Sequence, residues 1–182
     1  MAKAKPIPGL AADLPYAQAA AATVRVRAAE LFAHADGVLD VEDIERVHAM
    51  RVASRRLRAV LEIYAPCFPA KEHRAVLREV KRIADALGAR RDPDVQIEGL
   101  ERFASLMADE DRAGLEAYLD GIRAEQAAGN ERLAAGLQRL EQRDLQTRLA
   151  ALADAAEALV PTHEADEPGE DSTASDDEGR AA

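Results

Sequence analysis

The chain has 182 residues, 48% of them hydrophobic but only 3% aromatic, and a formal net charge of −10 from 24 basic and 34 acidic side chains. That length suits one domain with appendages, and an apolar fraction rich in alanine fits a core of Leu, Val, Ile and Ala between closely packed helices. The single cysteine, Cys67, excludes an internal disulfide and a cysteine-pair zinc site, and no stretch approaches the ~18 apolar residues of a membrane span, so the expected setting is soluble and cytoplasmic.

A first helix is predicted from about Leu14 to His34, closed near Gly37. Asp40 reads as the N-cap of a second, with Asp43 in its first turn and Val41, Ile44, Val47, Leu57 and Leu61 as apolar positions. This helix runs to Tyr64, where Pro66 and Pro69 stop it. A third spans about Ala70 to Leu87 and ends at Gly88 in a left-handed C-cap. Asp92-Pro93 then has the order of an N-cap and a first-turn proline, opening a fourth helix to about Met107. Two more follow at about 110–128 and 130–159, broken at Gly129-Asn130. With no alternating strand pattern anywhere, the predicted class is all-α, an antiparallel helical bundle.

Charge is distributed unevenly along these elements. Between Arg46 and Arg91 lie twelve basic residues against four acidic ones, so the rest of the chain is strongly acidic. The segment 161–182 holds eight acidic residues and no Leu, Ile, Val or aromatic side chain. Such a segment cannot bury enough apolar surface to offset chain entropy and is expected to be disordered.

Placed at about 100° per residue, the second helix puts Val47, Met50, Ala53, Leu57, Val60, Leu61 and Tyr64 on one face and His48, Arg51, Arg55 and Arg58 in a separate stripe roughly 80° wide. Arg56 lies off both. On the third helix Val76, Leu77, Val80, Ile83, Ala84 and Leu87 form the apolar stripe, joined by His73. The opposite arc carries Lys71, Arg74, Arg78, Lys81 and Arg82, relieved only by Asp85. Like charges at these spacings destabilise a helix by a few tenths of a kcal/mol per pair, so stability alone does not ask for them. Guanidinium forks bind phosphate oxygens in bidentate fashion, and the rows are read as a facet for a polyanion.

No stacking aromatic sits within the cationic stripes, and no reader motif for nucleic acid is present, so sequence-specific nucleic-acid binding is not expected. A thin, flexible chain of phosphates fits better, with an RNA- or nucleotide-binding module and a module docking an acidic protein as the alternatives. Catalysis is not expected. Glu45 and His48 have the Glu-x-x-His spacing of di-iron bundles, but there is no second copy, Cys67 lies in no motif, and no glycine-rich phosphate loop occurs. Neither a metal nor a cofactor is predicted.

The stretch VHAMRVASRRLRAVL, followed by EVKRIADALGARRDPDV, resembles the CHAD family, the conserved histidine α-helical domain. The matching positions are His48, Arg51, Val52, Arg55, Arg56, Leu57 and Arg58, then Leu87, Gly88, Arg91, Asp92, Asp94 and Val95. The resemblance implies a non-catalytic helical domain that binds inorganic polyphosphate and associates with polyphosphate granules. The contacts it implies are His48, Arg51, Arg55, Arg58, Arg78, Lys81 and Arg91, the last from the resemblance alone. The full candidate set adds Arg74 and Arg82, with Arg56 and Lys71 as weaker members. The expected organisation is a flexible N-terminus at 1–13, a CHAD-like helical domain at 14–160 and the acidic tail at 161–182. The usual family domain resembles two four-helix halves related by pseudo-twofold symmetry. Residues after about 110 contain no second Arg-rich helix, so the chain reads as a half-length member, a four-helix half plus additional C-terminal helices, that either restores the wider surface by homodimerising or stands as a single bundle with a shorter groove.

Overall fold

The computed structural model describes residues 4–108 and 111–159, and every regular element among them is helical. α1 spans Tyr16–Ala33, α2 Ile44–Ile63, α3 Ala70–Ala104, α4 Arg112–Gln142 and α5 Leu145–Glu157, with a 3₁₀ turn at Ala65–Cys67 between α2 and α3. The predicted helical bundle is what forms: α5, α1, α2, α3 and α4 pack as successive neighbours, and α5 closes back against α3 and α4. Leu31, Met50, Leu57, Leu87, Leu133 and Leu149 are fully buried at its centre, each such side chain contributing about 1.5–3 kcal/mol. Ala20 and Ala21 of α1 and Ala153 and Ala156 of α5 are also buried, and their small side chains let these two helices approach closely.

Three expected boundaries move. α2 begins at Ile44 rather than directly after Asp40, because Asp40 Oδ1 accepts the N–H of Glu42 at 3.0 Å and closes a turn outside the helix. Arg46 of the first turn reaches back to Asp43 Oδ2 at 2.7 Å and to the Asp36 carbonyl at 3.1 Å. That crossing requires Gly37, which has φ +68° and where a β-carbon would meet Arg46 Nη1 at 2.7 Å.

The stop at Gly88 and the restart at Asp92-Pro93 do not occur, and α3 runs unbroken through both. Pro93 removes the hydrogen bond to the Ala89 carbonyl four residues back. At that carbonyl α4 passes so close that a β-carbon on Gly129 would sit 2.8 Å from the oxygen. Gly129 is therefore a close-approach residue inside α4 and not a helix break. The break falls instead at Asp144, whose φ is +45° and whose Oδ1 accepts the Thr147 N–H at 3.4 Å to open α5.

With 35 and 31 residues, α3 and α4 outrun the 20-residue α2 and extend past it as a long antiparallel hairpin. Phe103, Leu106 and Tyr118 are exposed near its end. At the other end of the chain, the Lys5 N–H donates to Glu30 Oε1 at 2.6 Å, tying part of the 1–13 stretch to α1. The acidic segment 161–182, read as disordered, lies outside the described residues.

Candidate polyanion-binding site

α2 and α3 are antiparallel neighbours, and their packing fixes the register of the two cationic rows. A β-carbon on Gly88 would lie 4.0 Å from Arg51 Nε, an ordinary contact distance, so Arg51 of α2 reaches α3 at the level of Gly88. Further along, Arg58 Nε and Lys81 Nζ approach the same oxygen, Glu62 Oε1, at 3.1 and 3.2 Å. Hydrogen bonds from Arg58 and then Lys81 hold the Glu62 carboxyl below the usual carboxylate range. Continued along the antiparallel pair, this register puts Arg55 at the height of residues 84–85 of α3 and His48 at the height of Arg91.

Arg55 is exposed beside Val52 and Ala59 on the outer surface of α2. Arg74 and Arg78 are exposed on α3 and make no ion pair among the described residues. Arg91 is half-buried, and its Nη1 is out of solvent with no hydrogen-bond partner, an orphan donor of the kind an anion would satisfy. Arg56 lines the same shallow depression as Arg55, and its charge also acts on buried Glu30 of α1. Lys71 is exposed in the first turn of α3. His73, read as a core-edge residue, is buried, stacks on Phe68 and shares a 2.8 Å hydrogen bond between Nε2 and the Leu61 carbonyl. Cys67 is buried too, and burial pushes its thiol up, away from the reactive thiolate.

Arg82 separates from its neighbour Lys81, since consecutive residues on a helix diverge by about 100°. It faces α4, where Arg82 Nη1 at 2.9 Å and Arg143 Nη1 at 3.2 Å both meet Glu79 Oε1. Glu79 is only 3% exposed, and its second oxygen is buried without a hydrogen-bond partner. The cleft around it, about 270 Å³, is also lined by Arg132 and Arg139 of α4. Sequence reading singled out Arg82 but missed Arg132, Arg139 and Arg143, because the arginines along α4 and at its C-terminal end are diluted along the chain. Their spacing at i, i+7 and i+11 was the available signal, since it places Arg132, Arg139 and Arg143 on one stripe.

Beneath Arg91 lies a second feature the sequence did not reveal. Arg90 is fully buried and pairs with buried Asp94 one turn on. Arg90 Nε also donates to Asn130 Oδ1 at 3.2 Å, and Gln126 Nε2 to Asp94 Oδ1 at 2.7 Å. Burial, with repulsion from Arg91 added, lowers the Arg90 guanidinium from its ordinary range. The network pins α3 to α4 at the turn that carries Arg91, and Asn130 extends it to the α1–α2 loop by donating to the Leu39 carbonyl at 3.0 Å.

The geometry defines an all-α bundle with a cationic facet built from two adjacent helices. A family model for the CHAD domain matches residues 22–176, and the chain belongs to that family, which is associated with polyphosphate binding. The uncharacterized protein Rv2226 of Mycobacterium tuberculosis is 30% identical over 139 residues, covering 75% of this chain and 26% of that protein. The chain thus spans about a quarter of that relative's length. No solved structure matches it. Among the described residues, no helix is long and apolar enough to cross a membrane.

Proposed function

We propose that this chain is a non-catalytic module that binds inorganic polyphosphate through His48, Arg51, Arg55 and Arg58 of α2 and Arg74, Arg78, Lys81 and Arg91 of α3. In the cell this would direct it to cytoplasmic polyphosphate granules. The observation that carries the reading is the meeting of the two rows, with Arg51 against Gly88 and with Arg58 and Lys81 sharing Glu62. A stability-driven surface would interleave carboxylates, and here the rows share one exposed glutamate while Arg91 Nη1 is left unpartnered. Family membership supports the same ligand class.

Titration with long-chain polyphosphate tests it. Affinity is expected to fall steeply with salt as condensed counterions are released. Arg55→Glu should weaken binding at least tenfold, whereas Arg102→Glu, an exposed arginine paired with Glu98 on the distal hairpin, should change it less than twofold. Equal losses from both would point to nonspecific attraction, and displacement of polyphosphate by RNA at equal charge would favour the nucleic-acid reading. The same proposal includes a homodimer, supported by the exposed Phe103, Leu106 and Tyr118 near the hairpin tip. Light scattering that gives a monomer at micromolar concentration, with polyphosphate binding intact, would rule the dimer out.

A further inference from the structure

Helix α3 has two cationic edges, and only the one facing α2 belongs to the α2–α3 facet. The other edge faces α4 across the cleft that holds Glu79, Arg82, Arg132 and Arg139. At 100° per residue, Arg78 falls between Lys81 on the α2 side and Arg82 on the α4 side, and Arg74 lies on the same exposed ridge. Positive charge therefore runs from α2, over the ridge of α3, where Asp85 is the one acidic side chain, to α4.

The α4 side is built rather than incidental. Gly136 supplies its floor: a β-carbon there would already lie 3.1 Å from Ile83 Cδ1, so the helices close tightly and the space above stays open. The walls are long arginines. Glu79, almost entirely buried, fixes Arg82 and Arg143 through a single oxygen. This carboxylate neutralises one of four arginines and holds two of them in place, which removes part of the ordering cost of binding an anion. Arg139 is exposed and makes no ion pair among the described residues, and Arg132 only returns Nε to the Ala128 carbonyl at 3.1 Å.

We propose that Arg82, Arg132, Arg139 and Arg143 form a second phosphate-binding segment, into which a polyphosphate chain bound on the α2–α3 facet continues after crossing the ridge of α3. The inference rests on the polyphosphate reading for the identity of the ligand. The anion chemistry of the cleft stands on its own residues.

The test compares three forms of the full chain by titration with long-chain polyphosphate over a range of salt: the wild type, Arg132→Glu/Arg139→Glu, and Arg55→Glu/Arg58→Glu. The α4 pair is expected to lower affinity at least tenfold. It should also make the plot of log affinity against log salt shallower by about two, one unit for each phosphate that is no longer neutralised. Arg132→Lys/Arg139→Lys should recover most of the affinity, and unchanged thermal unfolding of the glutamate pair would show that the bundle is intact. An affinity within twofold of wild type and an unchanged salt slope for the α4 pair, while the α2 pair is weakened, would overturn this inference and leave the proposed function standing. Weakened binding in the α4 pair alone would uphold the α4 segment and remove the α2–α3 facet.

Discussion

The two edges of α3 carry consecutive cations, Lys81 and Arg82, yet use their carboxylates in different ways. On the α2 edge, Glu62 is 43% exposed and receives Arg58 and Lys81 at the surface. On the α4 edge, Glu79 is 4% exposed by side chain, and a single buried oxygen of it receives both Arg82 and Arg143, whose own side chains reach solvent. An exposed pair is held loosely and screened by solvent, so its partners remain available to a ligand. A buried carboxylate must stay paired, and so it orders the arginines around it. One helix thus presents an open row and an ordered cluster, and a row that looks uniform in sequence is two surfaces in space.

The largest effect expected on this contrast comes from the buried network that pins α3 to α4. Asp94→Ala leaves Arg90 charged, buried and unpaired, and should cost about 3–5 kcal/mol in urea denaturation. Glu62→Gln on the open edge should cost under about 1 kcal/mol. Equal costs would erase the distinction between the two edges.

Ligand binding ranks next. Charge-assisted hydrogen bonds contribute about 1.5–3 kcal/mol each, so Arg55→Glu and Arg58→Glu should each weaken polyphosphate at least tenfold, read by calorimetric titration. An Arg58 variant that binds as the wild type does would confine the open edge to a structural part.

Gly129→Ala follows, because its β-carbon would meet the Ala89 carbonyl at 2.8 Å. A loss of about 1–3 kcal/mol in thermal unfolding is expected. No loss would mean that α4 has slack at that crossing, and that the α3–α4 cleft is less firmly shaped than the close approach indicates.

The smallest effect is on pH dependence. Since hydrogen bonds from Arg58 and Lys81 lower the Glu62 pKa from 4.5, the stability it contributes is fully present above that value and is lost as pH falls through the lowered folded-state pKa. Exposure keeps this contribution well under about 1 kcal/mol. Polyphosphate binding should strengthen over the same acid range as Glu62 releases Arg58 and Lys81, and Glu62→Gln should remove that increment.

The helices and the α2 row were legible in the sequence because both depend on a 3.6-residue period that any amphipathic helix must keep. Val47, Met50, Leu57 and Leu61 are buried where the wheel put them, while Arg55 and Arg58 are exposed. Helix ends were read less well, because Asp40, Gly88 and Gly129 carry local signals that the fold uses differently. Asp40 closes a turn outside α2, Gly88 sits within the continuous α3 at the level of Arg51, and Gly129 admits the Ala89 carbonyl.

The sequence by itself determined the all-α class, the family, and the concentration of positive charge on two consecutive helices, since composition, motif and periodicity are local properties of the chain. Only the tertiary structure decided that α3 continues through Pro93. A proline inside a helix costs about 3 kcal/mol locally, and here α3 runs on because α4 packs across the break and the Arg90–Asp94–Asn130–Gln126 network spans it. The tertiary structure likewise decided that Lys81 and Arg82 face different partners, because which side of α3 meets α2 and which meets α4 is fixed by packing between residues far apart in the chain.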